Sequence, residues 1–164
     1  TATHQVVGEI PLGGQARPIA LRGDGRRLFI EYDPLIGFVM AEVPQGKILH
    51  TVRIELPPDL QNVPSRCHGI GVTPNGNEVW VCDVMHEFVA VFDVTVEPPK
   101  QITRIPTKGQ PYWLTMAPDG KHCYISNTQA DAVQVVEVAT HKSLKWIPVG
   151  KSPKRILAVT VPQF

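Results

Sequence analysis

The sequence is short of several features that would assign it to a class directly. Cysteine occurs at only 3 of 164 positions (Cys67, Cys82 and Cys123), too few and too scattered for a disulfide framework or a Cys-x-x-Cys metal knuckle. An odd count also leaves at least one thiol free in a monomer. Charge of one sign is not in excess: 16 Lys and Arg stand against 15 Asp and Glu, so there is no general pull toward nucleic acid or an anionic membrane. No apolar run approaches the ~18 residues of a membrane-spanning helix. The opening Thr1-Ala2-Thr3-His4 lacks a basic-then-apolar leader, which reads as a signal peptide that is absent or already removed. Sustained apolar spacing at i, i+3 and i+4 is missing, so helix content should be close to nil. Gly-x-Ser-x-Gly, His-Glu-x-x-His and Cys-x-x-Cys-His do not occur, which withdraws the simplest support for a hydrolase elbow, a zincin or a c-type haem. Carboxylates are dispersed, and no pair stands out for acid–base work. No catalytic residue and no cofactor can be named on these grounds.

What the chain has is turns, short β runs and a repeat. Proline accounts for 16 residues and glycine for 13, and a 43% hydrophobic content suffices for one core in a single domain over 1–164. Three stretches superimpose around a glycine turn: ARPIALRGDGRRLFIEY (16–32), CHGIGVTPNGNEVWVCD (67–83) and PYWLTMAPDGKHCYISN (111–127). A fourth start, PKRILAV, begins at 153, so the repeat recurs at intervals of 51, 44 and 42 residues. A period of this size marks propellers and arrays. Asp24-Gly25, Asn75-Gly76 and Asp119-Gly120 can each set glycine at positive φ and close a hairpin.

These signals predict an all-β chain with strands near 17–22, 26–32, 36–43 and 47–55, then 68–73, 78–84, 88–94 and 101–106, then 112–117, 121–127, 132–138 and 143–149. Four antiparallel strands per repeat make a β-propeller blade, whereas a β-sandwich would not show such periodicity. The reading is therefore a β-propeller of three complete four-stranded blades (approximately 16–56, 67–106 and 111–149) plus one strand at each end, 4–12 and 153–161. This is a partial ring: the first orphan strand aligns with an outermost position and the last with an innermost one, so the two cannot complete each other.

Gly150-Lys151-Ser152-Pro153-Lys154-Arg155, Ala117-Pro118-Asp119-Gly120-Lys121 and Tyr124-Ile125-Ser126-Asn127 resemble the YVTN-type β-propeller repeat. Trp80–Asp83 matches that signature more loosely, and Phe29–Tyr32 barely. The resemblance implies a seven-bladed or similar ring, of which this chain would be the C-terminal half, with roughly 150 residues missing. It also implies periplasmic or secreted bacterial proteins. Relatives include surface-layer proteins, lactonase-like enzymes and cofactor-bearing electron-transfer enzymes.

Candidate sites follow from blade topology. Loops entering the first strand and loops joining the second and third fall on one face, which gathers 57–66, 83–87, 107–111 and 127–131. The extra length of the first interval lies mainly in 57–66, which could cap the channel or serve as a surface insertion. Arg17, His68, Tyr112 and Lys154 occupy equivalent positions and would ring the channel mouth, where two cations, an imidazole and a phenol suit a small anionic ligand. Cys67, His68, Cys82, Asp83 and His86 converge if the second blade's first hairpin forms. A metal on His68 and Asp83 is one reading; a His68–Asp83 hydrogen bond with buried thiols, or a Cys67–Cys82 disulfide, are others. Lys142, Lys145, Lys151, Lys154 and Arg155 make a basic stretch, but with Trp146 as its sole aromatic it gives nucleic-acid binding little support. The leading expectation is a non-enzymatic binding or scaffold module that contacts a protein partner or the rest of its own propeller. The alternative is half of a propeller enzyme with a channel-mouth site, either a lactonase-like hydrolase or a cofactor-dependent oxidoreductase.

Overall fold

The computed structural model describes residues 4–6 and 8–161. Its twelve strands make three four-stranded antiparallel sheets in simple up-and-down order. The first sheet holds β1 (Gln15–Leu21), β2 (Arg27–Asp33), β3 (Gly37–Glu42) and β4 (Ile48–Arg53). The second holds β5 (Cys67–Val72), β6 (Glu78–Asp83), β7 (Phe88–Asp93) and β8 (Lys100–Pro106). The third holds β9 (Pro111–Met116), β10 (His122–Asn127), β11 (Ala132–Glu137) and β12 (Lys142–Pro148). All fall within two residues of the spans read from the sequence, and the described residues contain no helix. The fold is that of a partial propeller.

Each first hairpin closes in the same way. The amides of Gly25, Gly76 and Gly120 donate to the carbonyls of Arg22, Thr73 and Ala117 at 2.8–2.9 Å, and all three glycines have φ between 71° and 76°. The side-chain oxygens of Asp24, Asn75 and Asp119 accept the amides of Arg26, Asn77 and Lys121 at 2.9–3.1 Å. The acidic or amide residue thus satisfies the turn backbone, and glycine supplies the left-handed φ.

The core lies between sheets. Strand alternation sends Phe29, Phe38 and Met40 of the first sheet against Val79, Val81, Ala90 and Phe92 of the second. Intervening residues of the second sheet (Trp80, Cys82, Val89, Val91) pack with Leu114, Cys123, Ile125 and Val136 of the third. The middle sheet is consequently buried on both faces. Inner strands β1, β5 and β9 lie side by side about the ring axis, and outer strand β12 is largely exposed.

The two expected end strands are corrected. Segment 4–12, of which Val7 lies outside the described residues, and segment 153–161 form no ladder, because a strand exists only through paired hydrogen bonds and no described strand lies beside them. Both nevertheless cover blade faces. Ile10 and Leu12 pack against Ile30, Leu35, Val39 and Ala41 of the first sheet. The last segment crosses the third sheet, where Ser126 Oγ donates to the Lys154 carbonyl and the Ala158 amide meets Thr115 Oγ1.

Candidate functional site

The ends of the inner strands are irregular in all three sheets, and these irregularities build the site. Register shifts fall between Ala16 and Ile19, between Cys67 and Ile70, and at Tyr112, where Asn127 pairs with Pro111 and Ser126 with Trp113. A β-bulge inserts an unpaired residue and re-aims its side chain. The bulges carry Arg17, His68 and Tyr112, three of the four residues assigned to the channel mouth by repeat alignment.

The structure brings these residues together. The His68 ring stacks on Tyr112 with centroids 4.1 Å apart, and Lys154 Nζ sits 5.0 Å from the Tyr112 centroid. Arg17, His68, Trp113 and Arg155 line an open cleft of about 320 Å³ with Ala16 and Pro18. Trp113 and Arg155 were not singled out as mouth residues from the sequence. Arg155 lies over the Trp113 ring at 4.9 Å, and His68 is 5.8 Å from that ring. Their signal was positional: each directly follows a predicted mouth residue, and the irregular strand start brings both members of each pair to the mouth.

Electrostatics at the mouth are predominantly positive. Arg17 donates through Nε (2.7 Å) and Nη2 to Asp33 Oδ2, and this bond raises the arginine further above its ordinary value. Burial pushes the His68 imidazole down, and Arg17 and Arg66 push the same way against the Tyr112 carbonyl. A neutral imidazole is thereby favoured, and Nδ1 is buried without a hydrogen-bond partner. Beneath the mouth, Glu31 is fully buried and accepts the Gly69 amide at 3.1 Å. Burial lifts this carboxyl well above the usual range, with Asp33 and Asp83 adding to the rise.

The second candidate cluster does not assemble as expected. Asp83 pairs with Cys67 in the ladder, whereas the bulge turns His68 away to the mouth, so no His68–Asp83 hydrogen bond forms. Asp83 instead binds His86 Nδ1 at 2.7 Å and accepts Ser65 Oγ. His86 Nε2 lies 2.9 Å from the Val63 carbonyl. This group fastens loop 57–66 to the second blade. Ser65 donates to the Asp83 carboxylate and accepts the Met85 amide, a structural pairing within the loop anchor. The metal reading of His68 and Asp83 loses its basis, because among the described residues no group of three or more His, Cys, Asp or Glu could hold an ion. The Cys67–Cys82 disulfide is also corrected: all three cysteines are free and buried. Burial raises the thiols of Cys67, Cys82 and Cys123, which leaves them packed as small apolar groups.

The loops predicted to share the mouth face are linked there. The Met85 amide donates to Ser65 Oγ, Gln110 Nε2 meets Met85 Sδ at 3.3 Å, and the Thr128 amide donates to the Gln110 carbonyl. The basic stretch does not act as one patch. Lys154 and Arg155 belong to the mouth, while Trp146 is covered by Lys108 at 5.2 Å.

Comparison with known proteins bears on this geometry. Residues 38–152 match the family described as lactonase, seven-bladed β-propeller. No curated protein sequence matches the chain. Among solved structures, hydrazine synthase of Kuenenia stuttgartiensis superimposes with a TM-score of 0.74 at 19% identity, covering 92% of this chain and 40% of that one. A Bacteroides fragilis protein with the provisional description 6-phosphogluconolactonase gives 0.74 at 18% identity, over 89% and 42% of the two chains. The periplasmic gluconolactonase of Pseudomonas aeruginosa gives 0.72 at 17%, over 93% and 44%. At such identities these likenesses concern the fold. The chain spans less than half the length of each of these structures.

Proposed function

This chain belongs to the seven-bladed β-propeller lactonase family, and from that premise we propose that it forms the part of a propeller hydrolase that binds and opens an anionic sugar lactone at the channel mouth. The observation that carries the reading is the grouping of His68, Arg17, Trp113 and Arg155 around one open cleft, with Tyr112 and Lys154 stacked behind His68. The enzyme reading thereby displaces the non-enzymatic scaffold as the favoured function.

In this proposal Trp113 offers a flat apolar face to a sugar ring, and Tyr112 backs the His68 imidazole. Arg155 and Lys154 supply positive charge for a phosphate or carboxylate, while Arg17 is held by Asp33 at the edge of the cleft. Hydrolysis of a lactone passes through a tetrahedral oxyanion, which fixed cations stabilise. The neutral imidazole of His68 accepts the proton of the attacking water and returns it to the departing ring oxygen. The remaining blades of the ring, in the same polypeptide or in a partner, would supply the other half of the mouth. A periplasmic location is part of the proposal and draws on the Pseudomonas aeruginosa neighbour.

The test is proton release from gluconolactone and from 6-phosphogluconolactone at pH 7, catalysed by the completed ring. We expect saturable hydrolysis above the spontaneous rate, reduced by about 10²-fold or more in His68→Gln. Turnover at the spontaneous rate by a folded, closed ring would overturn the proposal.

A binding role has one observation in its favour. Ile19 and Leu21 on β1, and Leu157 and Val159 on the last segment, are exposed apolar side chains on the two outward blade faces. A partner chain would cover them, as would further blades.

A further inference from the structure

We propose that Glu31 is a positioning residue whose carboxyl holds the His68–Gly69 peptide and thereby fixes the His68 imidazole at the mouth. The inference rests on the reading of His68 as the proton-transfer group of that mouth.

The repeat supplies an internal control. Glu31, Cys82 and Ser126 occupy the same place, the penultimate residue of each of the three aligned stretches. Glu31 and Ser126 each reach the chain that begins the next repeat, whereas Cys82 packs on the inner strand of its own blade. Ser126 Oγ donates to the Lys154 carbonyl and accepts the Trp113 amide at 3.1 Å. Cys82 Sγ would stand 3.2 Å from a Cβ built on Gly69. Glu31 Oε2 accepts the Gly69 amide. The third blade meets the equivalent Lys154–Arg155 peptide with a small neutral side chain, and the second carries a thiol at this place, so the fold itself does not demand a carboxyl there. Only the blade that precedes His68 carries one.

Gly69 is held from its other side as well. Its φ is +122°, and a Cβ there would lie 2.7 Å from the Tyr112 carbonyl oxygen and 2.9 Å from Trp113 Cα. The peptide is thus gripped between the backbone of the third blade and the Glu31 carboxyl. His68, one residue earlier, takes its direction from that peptide and lands flat on Tyr112.

Chemical state follows from the surroundings. Glu31 Oε1 is buried with no hydrogen-bond partner. The groups that act on the carboxyl are the Gly69 amide from β5, Arg17 from β1, Asp33 on its own strand and Asp83 from β6. It bears in turn on the thiols of Cys67 and Cys82. Arg17 is already committed to Asp33. Burial and two acidic neighbours therefore favour the neutral acid. An acid keeps one oxygen to accept the Gly69 amide and places no buried negative charge beneath the mouth.

The test uses Glu31→Gln, which preserves a neutral acceptor of the same reach, and Glu31→Ser, which installs the residue found at this place in the third blade. The readout is the NMR shift of the His68 ring protons, displaced by the Tyr112 ring current. We expect Glu31→Gln to retain the shift and Glu31→Ser to move it toward the free-histidine value in a protein that remains folded. An unchanged His68 shift in folded Glu31→Ser overturns the proposal, as does an equal displacement in Glu31→Gln. If Glu31→Ser does not fold, retention or loss of the shift in Glu31→Gln decides, together with the ¹³C shift of the native Glu31 carboxyl at pH 7. The neutral acid is expected, and an ionised carboxylate overturns. Lactone turnover is not read, so failure of the hydrolase reading and failure of this one remain distinguishable.

Discussion

Single residues set the chemistry of the mouth, and two of them make stability depend on pH with opposite sign. Glu31 is raised in the folded chain, so the native state binds its proton more tightly than the unfolded state does. Its contribution is fully present below the ordinary glutamate value and is lost as pH rises from there toward the folded value. His68 is lowered, so its contribution is present above the ordinary imidazole value and is lost as pH falls through the folded value. Urea midpoints between pH 5 and 9 should therefore fall less steeply with pH in Glu31→Gln than in the native chain. Parallel slopes would show that the carboxyl is not protonated in the native state. At the cleft, Arg155 and Trp113 hold one another. Trp113→Leu should weaken binding of a phosphorylated sugar acid by about fivefold, since a cation–π or stacking contact in a partly desolvated site contributes on the order of 1 kcal/mol. Calorimetric titration with 6-phosphogluconate measures it.

At the scale of elements, the seams between blades and the bulges at their inner ends divide the work. Trp80 is fully buried between the second and third sheets, with its Nε1 donating to Glu78 Oε2 at 2.9 Å. His141, from the turn before β12, reaches the same carboxylate at 3.0 Å. Trp80→Ala should cost about 3–5 kcal/mol, the usual range for removing a large aromatic from a core, read by denaturant unfolding. A smaller loss would mean that the blades slide to close the gap. The Asp83–His86–Ser65 group is a local fastening, and its loss should be local. Asp83→Asn is expected to raise the rate of proteolytic cleavage within 57–66 and to leave the β5–β8 amides protected from exchange. Uniform loss of protection across the sheet would contradict this. The strands themselves were legible in the sequence, because alternation and the Asp-Gly and Asn-Gly turns act over fewer than ten residues and the repeat shows them again at intervals of 51, 44 and 42 residues. The bulges were not. They arise from how two strands pair, and nothing in HGIGV or RPIAL alone states that the first residue will be left out of register.

For the whole molecule, the second sheet packs between the other two, and among the described residues the first and third sheets each have one sheet neighbour. Ile19 is 59% and Leu157 is 80% exposed, and each lies on a face whose counterparts in the middle sheet are covered. Two open faces of this kind should make the isolated chain self-associate at micromolar concentrations. Light scattering should register this, and the double variant Ile19→Lys, Leu157→Lys should reduce it. A chain that stays monomeric at high concentration would show that these faces need no cover.

The sequence by itself determined the all-β character, the three four-stranded blades and the hairpin turns, and its repeat aligns Arg17, His68, Tyr112 and Lys154. All of these are properties of short-range pattern and of its repetition. Only the tertiary structure decided that His68 faces Tyr112 rather than Asp83, that Asp83 instead holds His86 and Ser65, and that Trp113 and Arg155 complete the cleft. It also decided that Glu31 is buried beneath Gly69. Those outcomes depend on strand register and on the approach of one blade to the next, and such contacts join residues tens of positions apart that no local pattern relates.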